Sequence, residues 1–256
     1  AGRPNFLFII TDQQRADHLS CAGNPILRTP HLDTLAQRGR RFKNFYVNSG
    51  VCQSNRATIM TGQTVPQHGV WVNGVPLSLE SVCYTHLLLA GGYETALFGK
   101  AHFQNMSTER PSFRHAAKNL VPPPENLRDA LTTIRSGPEY DREMNFENST
   151  DPEADEREGD YYGFERFRVC TWHGDDVQGH YTHWLKARFP DEGNNRSSVN
   201  PLPDPRYDAP QARKPRMPEE FYPTNYITEM TLDYLDDYSK RGHEKPFFLQ
   251  CSFPDP

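Results

Sequence analysis

Apolar positions along the chain fall into short runs with two different periods, separated by long polar stretches. Asn5 to Thr11 is an unbroken apolar run closed by Asp12, the pattern of a central parallel strand that delivers a polar group at its carboxyl end. Tyr93 to Phe98 and Pro246 to Phe253 read as two more buried strands. Elsewhere the period lengthens. His31 to Gly39 sets Leu32, Leu35 and Ala36 on one helical face with Gly39 as its stop. Leu79 to Ala90 predicts a helix ended by Gly91-Gly92, and positions 227, 230, 231, 234, 235 and 238 form one face of another, packing on the sheet. Phe42 to Val47 alternates aromatic and polar residues and predicts a strand that leads into the polar loop Asn48-Ser49-Gly50. From Cys52 a helix-like segment runs to Gly62, a glycine suited to a helix C-terminus.

Strands that alternate with helices over 5–102 and 225–253 predict an α/β fold. The sheet is doubly wound, mixed and mostly parallel, flanked by helices, with the site at the strand carboxyl ends. Between these blocks, residues 103–165 are polar, broken by prolines and strongly acidic from Glu139 to Asp160. They predict a long surface excursion with a short helix near Asn126–Ile134. Residues 190–223 hold eight prolines without apolar periodicity and read as irregular.

Composition narrows the classes. The 256 residues suit one large domain or two small ones, and the hydrophobic share of 36% with 22 prolines agrees with long irregular segments. A formal net charge of −5 argues against a nucleic-acid partner. No apolar run approaches the roughly 20 residues of a membrane span. The five cysteines (21, 52, 83, 170 and 251) are odd in number and scattered, with no CxxC pair, so they predict neither a disulfide framework nor a zinc motif. That favours a reducing, cytoplasmic setting; a removed leader would place the protein in the periplasm or outside the cell.

Candidate chemistry concentrates at a few positions. A thiol at the head of a helix sits where the dipole favours negative charge, and Arg56, one turn on, faces the same site. The competing reading of Cys52 is an ordinary buried small residue. Lys100 and His102 point to the same side of an extended segment by alternation. Asp12 suits either a ligand or a helix N-cap. Asn73-Gly74 is a turn dipeptide. His173-Gly174-Asp175-Asp176 suits a cation site or simple turn chemistry.

Five stretches taken together resemble the type I sulfatase family and its phosphonate monoester hydrolase relatives, in the alkaline phosphatase superfamily. They are Arg3 to Gln14, Thr29 to Ala36, Cys52 to Gly62, Gly92 to His102, and Lys245 to Phe253. The resemblance is dense over residues 3–102 and again over about 225–256, and thin between. It implies an alkaline-phosphatase-like fold of which residues 1–256 are the N-terminal portion of one catalytic domain, with 103–223 as an insert or lid. It also implies that Cys52 is oxidised to formylglycine, whose aldehyde hydrates to a geminal diol. A divalent metal (Ca2+ or Mn2+, or else Mg2+) held in part by Asp12, Gln13 and the modified Cys52 lowers the pKa of one hydroxyl for in-line attack. Arg56 then orients the diol, Lys100 and His102 stabilise charge on the transferred group, and Asn73 and His173 face the substrate.

Two departures keep alternatives open. Gln13 stands where sulfatases carry a second aspartate and looks like the phosphonate monoester hydrolase variant, whereas the Lys100–His102 pair leans toward sulfatases. Ser54 replaces the proline of the C-x-P-x-R signature. The leading expectation is hydrolysis of a small-molecule or saccharide sulfate ester. The alternatives are a phosphonate monoester or phosphodiester hydrolase on the same scaffold, and a non-catalytic anion-binding relative with an unmodified thiol. Further metal ligands are expected from the remaining C-terminal part of the same domain, which makes this fragment inactive alone; a homo-oligomer is left open.

Overall fold

Five strands form one sheet in the computed structural model, which describes residues 2–107, 135–146, 160–191, 196, 200–206, 213–242 and 245–256. They are β1 (Phe6–Ile10), β2 (Glu94–Lys100), β3 (Arg166–Thr171), β4 (Gln178–Gly179) and β5 (Phe247–Ser252), in the order β1-β5-β2-β3-β4. Every neighbouring pair is parallel except β3–β4. Seven helices accompany them among the described residues: α1 (Pro30–Arg38), α2 (Cys52–Thr61), α3 (Val65–His68), α4 (Tyr84–Ala90), α5 (Arg142–Asn145), α6 (His180–Arg188) and α7 (Pro223–Lys240).

The period of two sorts strand side chains onto two cores. Leu97, Phe167, Val169 and Phe248 pack on one face against Ala57 and Met60 of α2, with Tyr84 and Leu88 of α4. On the other face, Ala96, Phe98 and Leu249 meet Tyr234 and Tyr238 of α7. Cys170 and Cys251 meet Tyr226 and Ile227 of α7 with Tyr181 and Leu185 of α6. Each such buried aliphatic side chain contributes about 1.5–3 kcal/mol. Helices on both faces make the sheet doubly wound, as expected.

Register aligns the strand exits. Ile10 pairs with Ser252, Ser252 with Gly99, and Lys100 with Cys170. Gly99 is in the left-handed region (φ 105°), and a Cβ there would lie 1.8 Å from the Ser252 carbonyl oxygen. Only glycine lets β2 come this close to β5 just before Lys100.

Several expectations change. β1 is an edge strand and not a central one, so Phe6, Leu7 and Ile9 are exposed. α1 forms where predicted, but Leu32 and Leu35 face outward and none of its residues is buried. Residues 42–47 form no strand, and no strand lies beside them among the described residues. α4 starts at Tyr84 instead of Leu79, where the Cys83 N–H donates to Nδ1 of His86 at 3.0 Å and caps the first turn. β3, β4 and α6 lie inside 103–223, so this span contributes to the same sheet. Phe103, Phe146, Tyr161 and Phe164, expected in a surface excursion, are core residues. The helix expected near 126–134 lies outside the described residues. The α7 helix runs from Pro223 to Lys240, longer than its periodic stretch, with Pro223 in its first turn. All five cysteines are free thiols.

Candidate active site

The parallel register brings four strand exits together, and the groups on them are charged. Beyond β1 lies Asp12, 6% exposed, whose N–H donates to the Asp255 carbonyl at 3.2 Å. At the end of β2 is Lys100, fully buried, with Nζ 2.8 Å from Asp12 Oδ2 and 2.9 Å from His173 Nε2. His173 follows β3, and its Nδ1 lies 2.8 Å from the Pro254 carbonyl, an acceptor only. Nδ1 therefore carries the proton and donates, which leaves Nε2 to accept from the Lys100 ammonium. Gly174 N–H donates to Asp255 Oδ1 at 2.8 Å, so the exits of β1, β3 and β5 are stitched at one point.

α2 enters this cluster from one side. Cys52 is its first residue, and Gly62 closes it in the left-handed conformation (φ 67°). Arg56, one turn in, is buried and donates to the Lys100 carbonyl at 2.6 Å, to Ser252 Oγ at 2.9 Å and to Asp12 Oδ2 at 3.2 Å. One carboxylate thus meets two cations away from water, a geometry in which removing a partner is costly. Burial alone would raise the Asp12 pKa, but Lys100 and Arg56 outweigh it and hold the carboxyl below its usual value. Burial lowers the Lys100 pKa, opposed by Asp12. Burial, with the charges of Lys100 and Arg56, also holds His102 well below the usual histidine value, so the ring is neutral at pH 7.

Cys52 Sγ stands 3.5 Å from Asn73 Oδ1, which also accepts from the Gln53 N–H at 3.4 Å. Asn73 thus serves more than its turn. Asp12, Gln13, Cys52, Arg56, Asn73 and His173 line one cavity of about 620 Å³. Lys100 and His102 do not line it; both are buried beneath. His102 is left-handed (φ 53°), so the alternation expected of Lys100 and His102 ends at Lys100. Its Nδ1 is buried without a partner among the described residues. Asp175 and Asp176 form an ion-paired turn with Arg213, at 2.6 Å each. Sequence reasoning missed Ser252, Pro254 and Asp255, although the strand-exit rule that singled out Asp12 also applies to β5.

Asp12 and the amide of Gln13 are hard oxygen donors on one wall, beside Cys52, a donor type that suits a hard divalent cation. Among the described residues no group of three or more His, Cys, Asp and Glu comes together, so these donors make only part of a coordination shell.

The α/β sheet gathers a carboxylate, two buried cations and a helix-heading cysteine at its carboxyl edge. The chain belongs to the Sulfatase family, whose model matches residues 4–256. It is 27% identical over 256 residues to an arylsulfatase of Clostridium perfringens, covering 99% of this chain and 43% of that protein. To an ulvan-active sulfatase of Formosa agariphila it is 39% identical over 100 residues, covering 39% of this chain and 20% of the relative. Among solved structures, the phosphonate monoester hydrolase of Agrobacterium radiobacter superposes with a TM-score of 0.63 at 24% identity, covering 98% of this chain and 40% of that one. That likeness establishes the alkaline-phosphatase-like fold. The chain spans less than half the length of the proteins it matches.

Proposed function

We propose that this chain carries the N-terminal part of the active site of a metal-dependent sulfuric ester hydrolase, acting on a small-molecule or saccharide sulfate, with Cys52 converted to formylglycine as the source of the nucleophile. The observation that carries the reading is the shared cavity: Cys52 opens onto the space lined by Asp12, Gln13, Arg56, Asn73 and His173. Asp12 and Gln13 hold a divalent cation, with further ligands from the rest of the domain. When bound, the cation lowers the pKa of the attacking hydroxyl and offsets charge on the ester oxygens. Arg56 fixes Asp12 against the strand exits, and Asn73 orients position 52. Lys100 acts from below the floor: its ammonium, held between Asp12 and His173, offers fixed positive charge in a water-poor setting to a group whose oxygens gain charge in the transition state. His173 aims that ammonium by accepting from it.

Gln13 on the cavity wall favours a second reading, hydrolysis of phosphonate monoesters or phosphodiesters. Ser54, buried with its Oγ unpartnered among the described residues, keeps a third in view, an anion-binding relative with Cys52 left as a thiol. Aryl sulfate and aryl phosphonate turnover, measured on one preparation of the complete enzyme with divalent cation, separates the first two. Sulfate preference, abolished by Cys52→Ala, is expected. Phosphonate preference transfers the assignment to the second reading. No turnover of either ester, together with an intact thiol in the mass of the Asn44–Arg56 peptide, transfers it to the third.

A further inference from the structure

Beyond β2, three successive backbone N–H groups converge on one side chain. The amide of His102 donates to Glu143 Oε2 at 3.0 Å, and those of Phe103 and Gln104 donate to Oε1 at 2.7 and 2.9 Å. The Tyr161 hydroxyl donates to the same Oε1. Consecutive amides arranged in this way form a concavity for an anion, and here a carboxylate from α5 fills it. Glu143 is 1% exposed, so its charge is met by these donors in place of water. Around it the two segments zip together: Gln104 Nε2 donates to the Glu139 carbonyl at 2.9 Å, and Arg142 N–H donates to Gln104 Oε1 at 3.1 Å.

The residue that begins the concavity is His102, in a left-handed backbone conformation (φ 53°) that few residues with a Cβ adopt. Its ring is buried two residues beyond Lys100, with Nδ1 unpartnered among the described residues. An extended residue at 102 would carry the ring elsewhere.

We propose that Glu143 is a positioning residue of this site: its carboxylate, gripping the 102–104 amides, holds His102 in the left-handed conformation that keeps its imidazole buried just beyond Lys100. Glu143 itself touches no reacting atom and lies in a stretch of no recognisable motif. The kinetic part of this claim rests on the hydrolytic reading above; the geometric part does not.

Glu143→Gln keeps the size of the side chain but turns one acceptor into a donor, so at least one of the three amides loses its partner. In the complete enzyme, with whichever ester the wild type turns over, kcat is expected to fall about 10- to 100-fold with KM changed less than about twofold. In a His102→Ala background the same substitution is expected to cost less than about twofold, because there is no ring left to position. An equal loss in both backgrounds overturns the proposal, since it assigns Glu143 to general stability. Glu143→Asp, which retains a carboxylate, is expected to recover part of the loss, and it goes through the same cycle if Glu143→Gln does not fold. Should the wild type turn over neither ester, the hydrolytic reading fails by itself. The proposal is then read from NMR without turnover: Glu143→Gln or →Asp is expected to shift the His102 ring resonances and speed hydrogen exchange at 102–104. Unchanged ring resonances alongside faster exchange overturn it.

Discussion

Leu97, on β2, is fully buried, whereas Leu35 on α1 and Phe45 in the loop beyond are 61% and 78% exposed. β2 has a strand on either side and helices over both faces. β1 has one strand neighbour, β5, and the 42–47 stretch has none. What secures each region is inverted as well. The β2 side, where the charges lie, is set in two apolar cores. The α1 side, where apolar side chains face outward, is held by polar bonds: Asp33 accepts from Ser20 Oγ at 2.6 Å, from the Cys21 N–H at 2.8 Å and from Thr29 Oγ1 at 3.1 Å. Hydrophobic period thus decides which element forms, and the number of neighbours decides whether its apolar face is covered. Charged groups are held rigidly where the surroundings are apolar.

The largest expected effect strikes the charged cluster. Lys100→Met leaves Asp12 with Arg56 alone and is expected to cost about 3–5 kcal/mol in urea denaturation, and to suppress turnover. A cost below about 1 kcal/mol would mean that the apolar surroundings, and not the ion pairs, set the geometry. A smaller effect depends on pH. The fold keeps His102 neutral while the unfolded chain protonates it below about pH 6.5, so this residue lowers stability as pH falls through that value, by up to about 1.4 kcal/mol per unit. His102→Gln removes that share. Denaturation at pH 7, 6 and 5 should show the wild type losing ground on the variant toward acid, and parallel profiles would contradict the buried, neutral assignment. The smallest effect belongs to the other side: Leu35→Ala is expected to shift stability by no more than about 0.5 kcal/mol. A loss of several kcal/mol there would show that α1 is covered in solution and would erase the contrast.

The residues that could be read from sequence were those with local signatures. α2 was legible from its terminal glycine, α7 from its period, and β5 from a mostly apolar run between polar flanks. The candidate site was legible at Asp12, Gln13, Cys52, Arg56, Asn73 and His173, which meet in one cavity, although their roles await the assays above. The edge position of β1 was not legible, because an apolar run does not declare how many strands will flank it. Phe103, Phe146, Tyr161 and Phe164 were hidden by polar company: a few aromatics far apart in sequence fill one core, with Glu143 accepting from the amide of Phe103 beside it. A left-handed backbone at His102 leaves no mark in the sequence, since glycine is absent from the position that adopts it.

The strand between β1 and β2 is β5, the last of the described strands. During synthesis β2 can meet β3 once residues 166–171 emerge, but β1 pairs only with β5 among the described strands and waits for residues 247–252. Pro254 and Asp255, which tie the exits of β1 and β3 together, come later still. A chain cut before residue 247 therefore lacks the one described strand that pairs with both β1 and β2, and with it the Pro254 and Asp255 ties across the pocket.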